Sequence, residues 1–241
     1  MTVTPSDAND ARPAVDPEAA SAELLRWLAR VLSAEAFDWL SFEVERQKST
    51  LDERRLGMAL GRAGRKVGQA ALALTREELA AAQNLRRGWQ PQHWTTDEAA
   101  RISLLLAIHH GDDRAFAALL DKLCVTAEVN EHVSHLKGFA IFPASEMLYA
   151  RAREGARSSI APIFEAIACH NPYPLDYFDD AAWNHMVVKC VFGGTPIERV
   201  VRLHERRNPE LIQMLRDLVS ERHAAARTSP DAVHAFIGDD N

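Results

Sequence analysis

Apolar residues recur every three or four positions along most of the chain, and short polar connectors separate the apolar stretches. The spacing is clear at Leu24, Trp27, Leu28 and Val31, and again in the leucine-rich segment 102–108. A period near 3.6 residues is typical of amphipathic helices. The sequence shows neither a convincing two-residue alternation nor a fixed repeat. It therefore predicts an all-α fold of roughly ten helices, either an irregular bundle or a short α-solenoid of helix pairs.

Several connectors contain residues that are typical of helix starts. A Thr followed three residues later by Glu can satisfy free backbone N–H groups reciprocally in a capping box. This pattern occurs at residues 50–53, 75–78, 95–98 and 195–198. The last of these, Thr-Pro-Ile-Glu, also places proline at the first helical position, so it predicts a helix with His204 on its inner face.

The stretch 150–192 has the densest mixture of apolar faces and charges. We expect one helix over about 147–159 and another over 160–169, with Pro162 separating or kinking them. If the two are coaxial, Arg153 and Arg157 project on the same side as the apolar stripe. A cation there needs a partner. Three alternatives are an internal salt bridge to the adjacent glutamate, arginine stems that cover the core edge, and an anionic ligand site.

The segment Asn-Pro-Tyr-Pro at 171–174 predicts a stiff corner. A residue before proline is pushed towards extended geometry, so the segment is not expected to be helical. The corner would present Tyr173 to its surroundings.

Composition narrows the class of protein. The chain has 241 residues, of which 47% are hydrophobic and 26% charged, with a net charge of -6. This balance is typical of a globular protein and argues against nucleic-acid binding. We expect a disordered tail at 1–16, one helical domain at 17–226 and a C-terminal tail with a short turn at 227–241. Neither a signal peptide nor a transmembrane run is apparent, so a cytoplasmic location is expected.

Catalytic, cofactor and metal motifs are weak or missing. The three cysteines lie in separate apolar stripes, as core cysteines do. The glycine-rich segment 61–68 lacks the preceding strand of a phosphate loop, which favours a solvated helix end. Glu128, His132 and His135 have a spacing compatible with a metal site, but a solvated polar face explains them as well. No cofactor, bound metal or catalytic residue is predicted.

A series of short motifs runs in order from about residue 24 to 238. They are GWQP at 88–91 with Trp94, AAR at 99–101, RAREGAR at 151–157, FEAIA at 164–168, NPYP at 171–174, YF at 177–178, AWN at 182–184, MV at 186–187 with Lys189, ER at 205–206, NPEL at 208–211 and ER at 221–222. In combination they resemble the EboA family, whose members are described as metabolite traffic proteins. The resemblance covers nearly the whole chain.

The resemblance implies a place in a bacterial gene cluster that makes and moves a small specialised metabolite. Other products of the cluster look like a membrane prenyltransferase, a sugar-phosphate cyclase and TIM-barrel proteins. The chain departs from the family pattern at His185, where Gln is usual, at His204, where Asp is usual, and at Ser220 and His223. If these polar positions line a pocket, the departures indicate a different ligand.

The resemblance favours a non-catalytic small-molecule binding or scaffold protein. Its arginines would pair with an anionic or phenolic group of the ligand, and its tyrosines would stack on a ring. The candidate ligand-binding residues are Arg153, Glu154, Arg157, Asn171, Tyr173, Trp183, Asn184, His204, Glu205, Arg206, Glu221 and Arg222.

Two other functions stay open at this stage. An enzyme of the same pathway would use Glu205 or Glu221 as general base beside His204 or His223. A helical adaptor would dock a partner such as the membrane prenyltransferase through an exposed apolar patch. The expected partners are a small metabolite and other proteins of the gene cluster, with no nucleic acid.

Overall fold

The computed structural model describes residues 15–238, and these residues are helical almost throughout. Within that range the backbone forms thirteen α-helices, and β-structure is limited to one isolated bridge between Ala71 and Thr95. The all-α prediction is confirmed. The helices are α1 (Pro17–Val31), α2 (Ala34–Ser49), α3 (Glu53–Val67), α4 (Arg76–Leu85), α5 (Thr96–Leu106), α6 (Asp113–Thr126), α7 (Val129–Gly138), α8 (Tyr149–Arg157), α9 (Ala161–Ala168), α10 (Tyr173–Tyr177), α11 (Asp180–Gly193), α12 (Pro209–Ala224) and α13 (Asp231–Ile237).

Helix α5 is at the centre of the core. Every residue from 99 to 106 is buried, and the helix packs against α1, α2, α3 and α7. A helix that is apolar on all sides belongs in a protein interior. Its buried charges are paired, because Arg101 donates to Asp97 at 2.6 Å and to the Leu60 carbonyl at 3.1 Å. This pairing avoids the high cost of an isolated buried ion.

Helix α7 connects this centre to a second group of helices. It packs against α9, which also contacts α8 and α11, while α12 lies against α11. Helix α8 approaches α7 closely at Gly155. A Cβ added there would lie 2.8 Å from a methyl carbon of Leu136, so a larger residue would push the two helices apart.

Most of the predicted helix starts are confirmed. The Thr75 N–H donates to the Glu78 carboxylate at 2.8 Å, and the Glu78 N–H donates to the Thr75 hydroxyl at 3.2 Å, which completes the capping box of α4. The side chains of Asp16, Asp179 and Asn208 likewise accept from first-turn N–H groups of α1, α11 and α12.

The capping box predicted at 50–53 is wrong. Asp52 caps α3 by accepting from the Arg55 N–H at 3.0 Å, whereas Thr50 lies at the end of α2. The reason is the buried Gln47 side chain, which bonds to both backbone groups of Asp52 at 3.1 and 3.3 Å and fixes it at the helix start.

The helix predicted from 195–198 is also wrong. The segment forms only two short 3₁₀ turns, Ile197–Arg199 and Leu203–Arg206. Tertiary contacts override the local start signal, because the Arg199 carbonyl accepts from the His170 N–H at 2.8 Å and Arg202 adopts a left-handed φ of 54°. His204 is consequently exposed, not on an inner face.

The corner predicted at 171–174 is partly helical. Helix α10 begins at Tyr173, and Pro172 already has helical dihedrals of φ -74° and ψ -12°. Pro174 is tolerated in the first turn because its missing N–H would have no intrahelical partner there. The Asn171 side chain accepts from the Tyr173 N–H at 3.0 Å and stabilises this start.

The predicted polar face with Glu128, His132 and His135 does not exist as such. His135 is 1% exposed, and its burial lowers the pKa of the imidazole to about 3, so it is neutral. Within residues 15–238, no group of three or more His, Cys, Asp or Glu side chains is placed to hold a metal ion.

The C-terminal part of the described chain is more ordered than a short turn. Helix α13 buries Val233, Phe236 and Ile237, and Arg207 donates to the carbonyls of the latter two at 3.1 and 2.7 Å. Most of the predicted N-terminal tail, residues 1–14, lies outside the described residues. No helix in the described range is long and apolar enough to span a membrane.

Candidate functional site

A cleft of about 580 Å³ opens between the 3₁₀ turn Pro91–His93 and helices α5, α7 and α9. We call it the histidine cleft. Its lining combines apolar walls with converging polar groups and consists of His93, Trp94, Glu98, Asn130, Val133, Lys137, Pro162, Glu165, Ala166, Cys169, His170, Asn171 and Arg199. The volume is within the range that is usual for small-molecule sites.

Two stacked imidazoles distinguish the histidine cleft. The rings of His93 and His170 lie 3.7 Å apart between centroids and are inclined by 26°. His170 is held in a left-handed conformation with φ 56°, and its Nδ1 is 2.8 Å from Gln90 Oε1. Because an amide oxygen only accepts, Nδ1 carries the proton and Nε2 is left as an acceptor.

Both imidazoles are neutral near pH 7. Burial lowers the pKa of His170 to about 4, with further contributions from His93, Arg199 and Lys137. Burial followed by Lys137 and Arg199 also lowers the pKa of His93. Burial disfavours the charged form of an imidazole, and nearby cations act in the same direction.

The other charges in the cleft are balanced. Lys137 Nζ lies 2.7 Å from both carboxylate oxygens of Glu98, and Arg199 lies 3.8 Å from Glu165. The Cys169 thiol is protonated, because burial raises its pKa to about 12. It is therefore not an activated nucleophile. The cleft presents hydrogen-bonding groups and apolar surface without a strong excess of either charge.

Asn171 forms part of the cleft and also holds the fold together. Its amide nitrogen donates to the carbonyls of Leu136 and Ala166, both at 3.0 Å, while its oxygen accepts from Tyr173. The residue is 4% exposed. Its hydrogen bonds join α7, α9 and α10, so this predicted site residue has a structural role at the cleft.

The predicted residues on α8 are divided between two environments. Arg153 and Arg157 line a separate hollow of about 70 Å³ together with His185 and Lys189. Glu154 instead points to solvent and accepts from Arg151 at 2.6 Å.

Three further predicted residues are buried structural groups. The Tyr173 hydroxyl donates to the Ser145 carbonyl at 2.6 Å. Trp183 is 1% exposed and packs under the Arg206 guanidinium, which lies 5.0 Å from its ring. Asn184 exchanges side-chain hydrogen bonds with Asn208 at 2.9 and 3.2 Å.

The remaining predicted residues lie outside both cavities. His204 packs against Phe236 with 5.2 Å between ring centroids, and Glu205 accepts from Arg202. Arg206 donates to the Phe178 carbonyl at 2.7 Å and to Asp180 at 2.5 Å.

Near the C-terminus of α12, Glu221 is exposed and Arg222 donates to the Thr228 carbonyl at 2.9 Å. The structure records no hydrogen bond from Glu205 to His204 or from Glu221 to His223, all of which are described residues. The predicted set of twelve residues thus does not converge on one cavity, and ligand binding by its members stays a prediction.

Sequence reasoning missed the histidine cleft because its lining spans residues 93–199 and comes from several elements. One usable signal was present. The aromatic connector 88–94 ends in His93 and Trp94, and a surface loop that carries aromatic and imidazole groups is often a binding segment. The pairing with His170 depends on tertiary structure alone.

One family matches the chain in comparisons with known proteins. Its description is metabolite traffic protein EboA, and the match covers residues 20–238. The matched segment includes all residues that line the histidine cleft and the hollow beside Arg157. Neither the comparison with curated proteins nor the comparison with solved structures gives a match.

Proposed function

The chain belongs to the EboA family of metabolite traffic proteins, and we propose on that basis that it is a non-catalytic protein that binds a small metabolite in the histidine cleft. The observation that carries the proposal is the cleft itself, with about 580 Å³ of space and a lining of apolar walls and converging polar groups. A concave site of this size and composition is the usual form of a small-molecule site.

The chemistry of the lining favours an uncharged or weakly polar ligand that contains a ring. The stacked imidazoles of His93 and His170 offer a flat surface against which a planar group can pack. His170 Nε2 can accept from a hydroxyl or N–H group of the ligand. The cations at the cleft each have a carboxylate nearby, at 2.7 Å for Lys137 and 3.8 Å for Arg199, which reduces their attraction for an anionic ligand.

The proposed setting is the cytoplasm of a bacterial cell, in a pathway that makes and moves a specialised metabolite. The protein would hold the metabolite between steps, or present it to other proteins of the same gene cluster. The family description supports a role in metabolite traffic, and the protonated Cys169 thiol, which is not an activated nucleophile, supports binding without covalent catalysis by this cysteine.

Native mass spectrometry of the protein purified from its own cells tests this proposal, together with extraction of small molecules from the same sample. We expect a stoichiometric small molecule whose release leaves the protein folded. A protein that emerges free of any small molecule, but brings down another protein of the cluster, would contradict the binding proposal and favour an adaptor role.

A further inference from the structure

The small hollow between α8 and α11 gathers basic side chains from both helices. Its volume is about 70 Å³, and we call it the basic hollow after Arg153, Arg157, His185 and Lys189. Each pair on a helix is spaced by four residues, so both members lie on the same face. Two adjacent helices thus direct four basic groups to one place.

The lining of the basic hollow contains no acidic side chain. The carboxylates closest in sequence have other partners, since Glu154 accepts from Arg151 at 2.6 Å and Asp179 accepts from the Tyr149 hydroxyl at 2.6 Å. The guanidinium carbon of Arg153 lies 5.6 Å from the centre of the Tyr149 ring, and Arg153 interacts with the Asp179 carboxylate only through longer-range electrostatics. Within the described chain, none of the four basic groups has a carboxylate in direct contact. Positive charges that are gathered in one small hollow without a carboxylate repel one another.

Two of the four basic side chains, those of Lys189 and Arg157, have N–H groups that donate to no described residue. Lys189 Nζ donates to the carbonyls of Ser158 at 2.7 Å and Ala156 at 3.3 Å, which uses two of the three N–H groups of an ammonium. Arg157 makes neither a hydrogen bond nor an ion pair with any described residue, so all five of its N–H groups are available.

Apolar residues surround the Lys189 end of the basic hollow. Lys189 Nζ is 4.6 Å from the centre of the Phe164 ring, and its burial lowers the pKa of the ammonium, a sign of partial removal from water. Phe178 and Met186 complete the wall of the basic hollow. Arg157 and His185 are exposed, so only the Lys189 end of the basic hollow is partly shielded from water, which strengthens a charge-assisted hydrogen bond there.

Size limits what the basic hollow can hold. Its volume of about 70 Å³ is about twice the share of one water molecule in the liquid, which is about 30 Å³. That space fits a single oxyanion group and is too small for a whole ring-bearing metabolite. His185 donates through Nδ1 to the Ala181 carbonyl at 2.7 Å, so in the neutral ring Nε2 is an acceptor and can bond only to a P–OH group of the ligand.

We propose that the basic hollow is an oxyanion site that takes a phosphate group, with Arg157 and Lys189 as its principal donors. The phosphate belongs either to a soluble phosphate monoester or to the phosphomonoester headgroup of an anionic lipid such as phosphatidic acid, since both present three terminal oxygens with more than one negative charge. The site shares no lining residue with the histidine cleft, so it goes beyond the proposed metabolite binding and does not depend on it.

Titration of the full chain with inorganic phosphate, followed by ³¹P NMR line broadening and isothermal titration calorimetry, tests the site. We expect saturable binding, weakened roughly fivefold or more by Arg157→Gln and by Lys189→Met. Arg46→Gln is the control, because Arg46 is exposed on α2 and the variant has the same change in net charge. Absence of saturable binding, or equal weakening in all three variants, would overturn the proposal.

A second arm separates the two sources of phosphate. Vesicles of phosphatidylcholine, with and without phosphatidic acid, are sedimented with the wild type and with Arg157→Gln. Phosphate binding without vesicle binding supports a soluble phosphate ester, and vesicle binding that needs both phosphatidic acid and Arg157 supports a lipid headgroup. Equal vesicle binding by the wild type and Arg157→Gln, together with no binding of inorganic phosphate, contradicts the site. Circular dichroism checks that each variant is folded.

Discussion

The histidine cleft and the basic hollow are both lined by basic side chains, yet they differ in how those charges are balanced. In the cleft, Lys137 and Arg199 each have a carboxylate partner, at 2.7 and 3.8 Å respectively. In the basic hollow, Arg157 and Lys189 have no carboxylate beside them among residues 15–238. The cleft has about eight times the volume of the hollow, from 580 and 70 Å³.

The difference shows that the number of basic residues does not decide what a cavity binds. A cation that is paired with a carboxylate attracts an anionic ligand less strongly. A large cleft of this kind therefore selects its ligand by shape, stacking and hydrogen bonding. Unpaired cations around a small space select by charge, and their effect is sensitive to salt. Four predictions test this contrast, in order of decreasing size of effect.

Asn171→Ala is expected to have the largest effect, because it damages the fold at the cleft and leaves the basic hollow chemically unchanged. The substitution removes the three hydrogen bonds that the buried Asn171 side chain makes with backbone groups of Leu136, Ala166 and Tyr173. We expect a loss of about 2–4 kcal/mol in the free energy of unfolding, measured with urea. Asn130→Ala, at an exposed residue of the same cleft, should cost about 0.5 kcal/mol or less. Equal losses in the two variants would contradict the structural role of Asn171.

Val133→Trp is expected to block the histidine cleft. Val133 is a half-buried lining residue, and an indole there occupies space that a ligand would need. We predict that the amount of co-purifying small molecule falls about tenfold or more, whereas inorganic phosphate binding at the basic hollow is unchanged. Val125→Trp is the matched control, because Val125 is 69% exposed on α6 and lies outside the cleft. Full occupancy in Val133→Trp would place the ligand elsewhere.

The stacked imidazoles predict a pH dependence of stability. An unfolded histidine titrates near 6.5, whereas the pKa of folded His170 is about 4. Between these values the unfolded chain binds more protons, so the stabilisation is complete above about pH 6.5 and is lost as the pH falls towards about 4. Because His170 is partly exposed to solvent, we discount the effect to about 1–2 kcal/mol.

His170→Asn removes this titration and keeps a residue type that tolerates the left-handed backbone at φ 56°. The loss of unfolding free energy between about pH 7 and about pH 4.5 should be smaller in the variant by about 1–2 kcal/mol, measured by urea denaturation at each pH. His93→Gln should change the slope in the same direction, because the pKa of His93 is also lowered. An identical slope in wild type and both variants would contradict the assignment.

Salt should give the smallest effect and the sharpest contrast between the cavities. Raising the salt concentration from about 0.05 M to about 0.5 M should weaken phosphate binding at the basic hollow severalfold, since the charges are near the surface. Occupancy of the histidine cleft should change less than about twofold. The same loss at both sites would mean that charge also governs the cleft.

Sequence reasoning predicted the features of this fold that depend on neighbouring residues. The capping box of Thr75 and Glu78 and the caps at Asp16 and Asp179 form as expected, because each requires only a few consecutive residues. The same reasoning failed at 195–198, where the start signal is genuine but the Arg199 carbonyl bonds to His170, close in space and distant in sequence. Tertiary contacts routinely override local propensity.

The candidate site was harder to predict for the same reason. Arg153 and Arg157 were found from their spacing on one helix, but Lys189 was not among the predicted residues, and nothing local indicates that α8 and α11 lie side by side. Tyr173 and Asn184 were predicted as ligand contacts because they lie in the NPYP and AWN motifs that resemble the EboA family. Buried polar residues more often satisfy backbone groups or each other, as these two do.

Hydrogen–deuterium exchange tests the central claim most directly, with and without the small-molecule extract from the protein's own cells. If the histidine cleft is the metabolite site, the extract will slow exchange in Pro91–His93, Val129–Gly138 and Ala161–Ala168, which carry the lining residues. The same extract added to Val133→Trp will have no such effect. Protection that appears in other segments, or equally in wild type and Val133→Trp, would contradict the account.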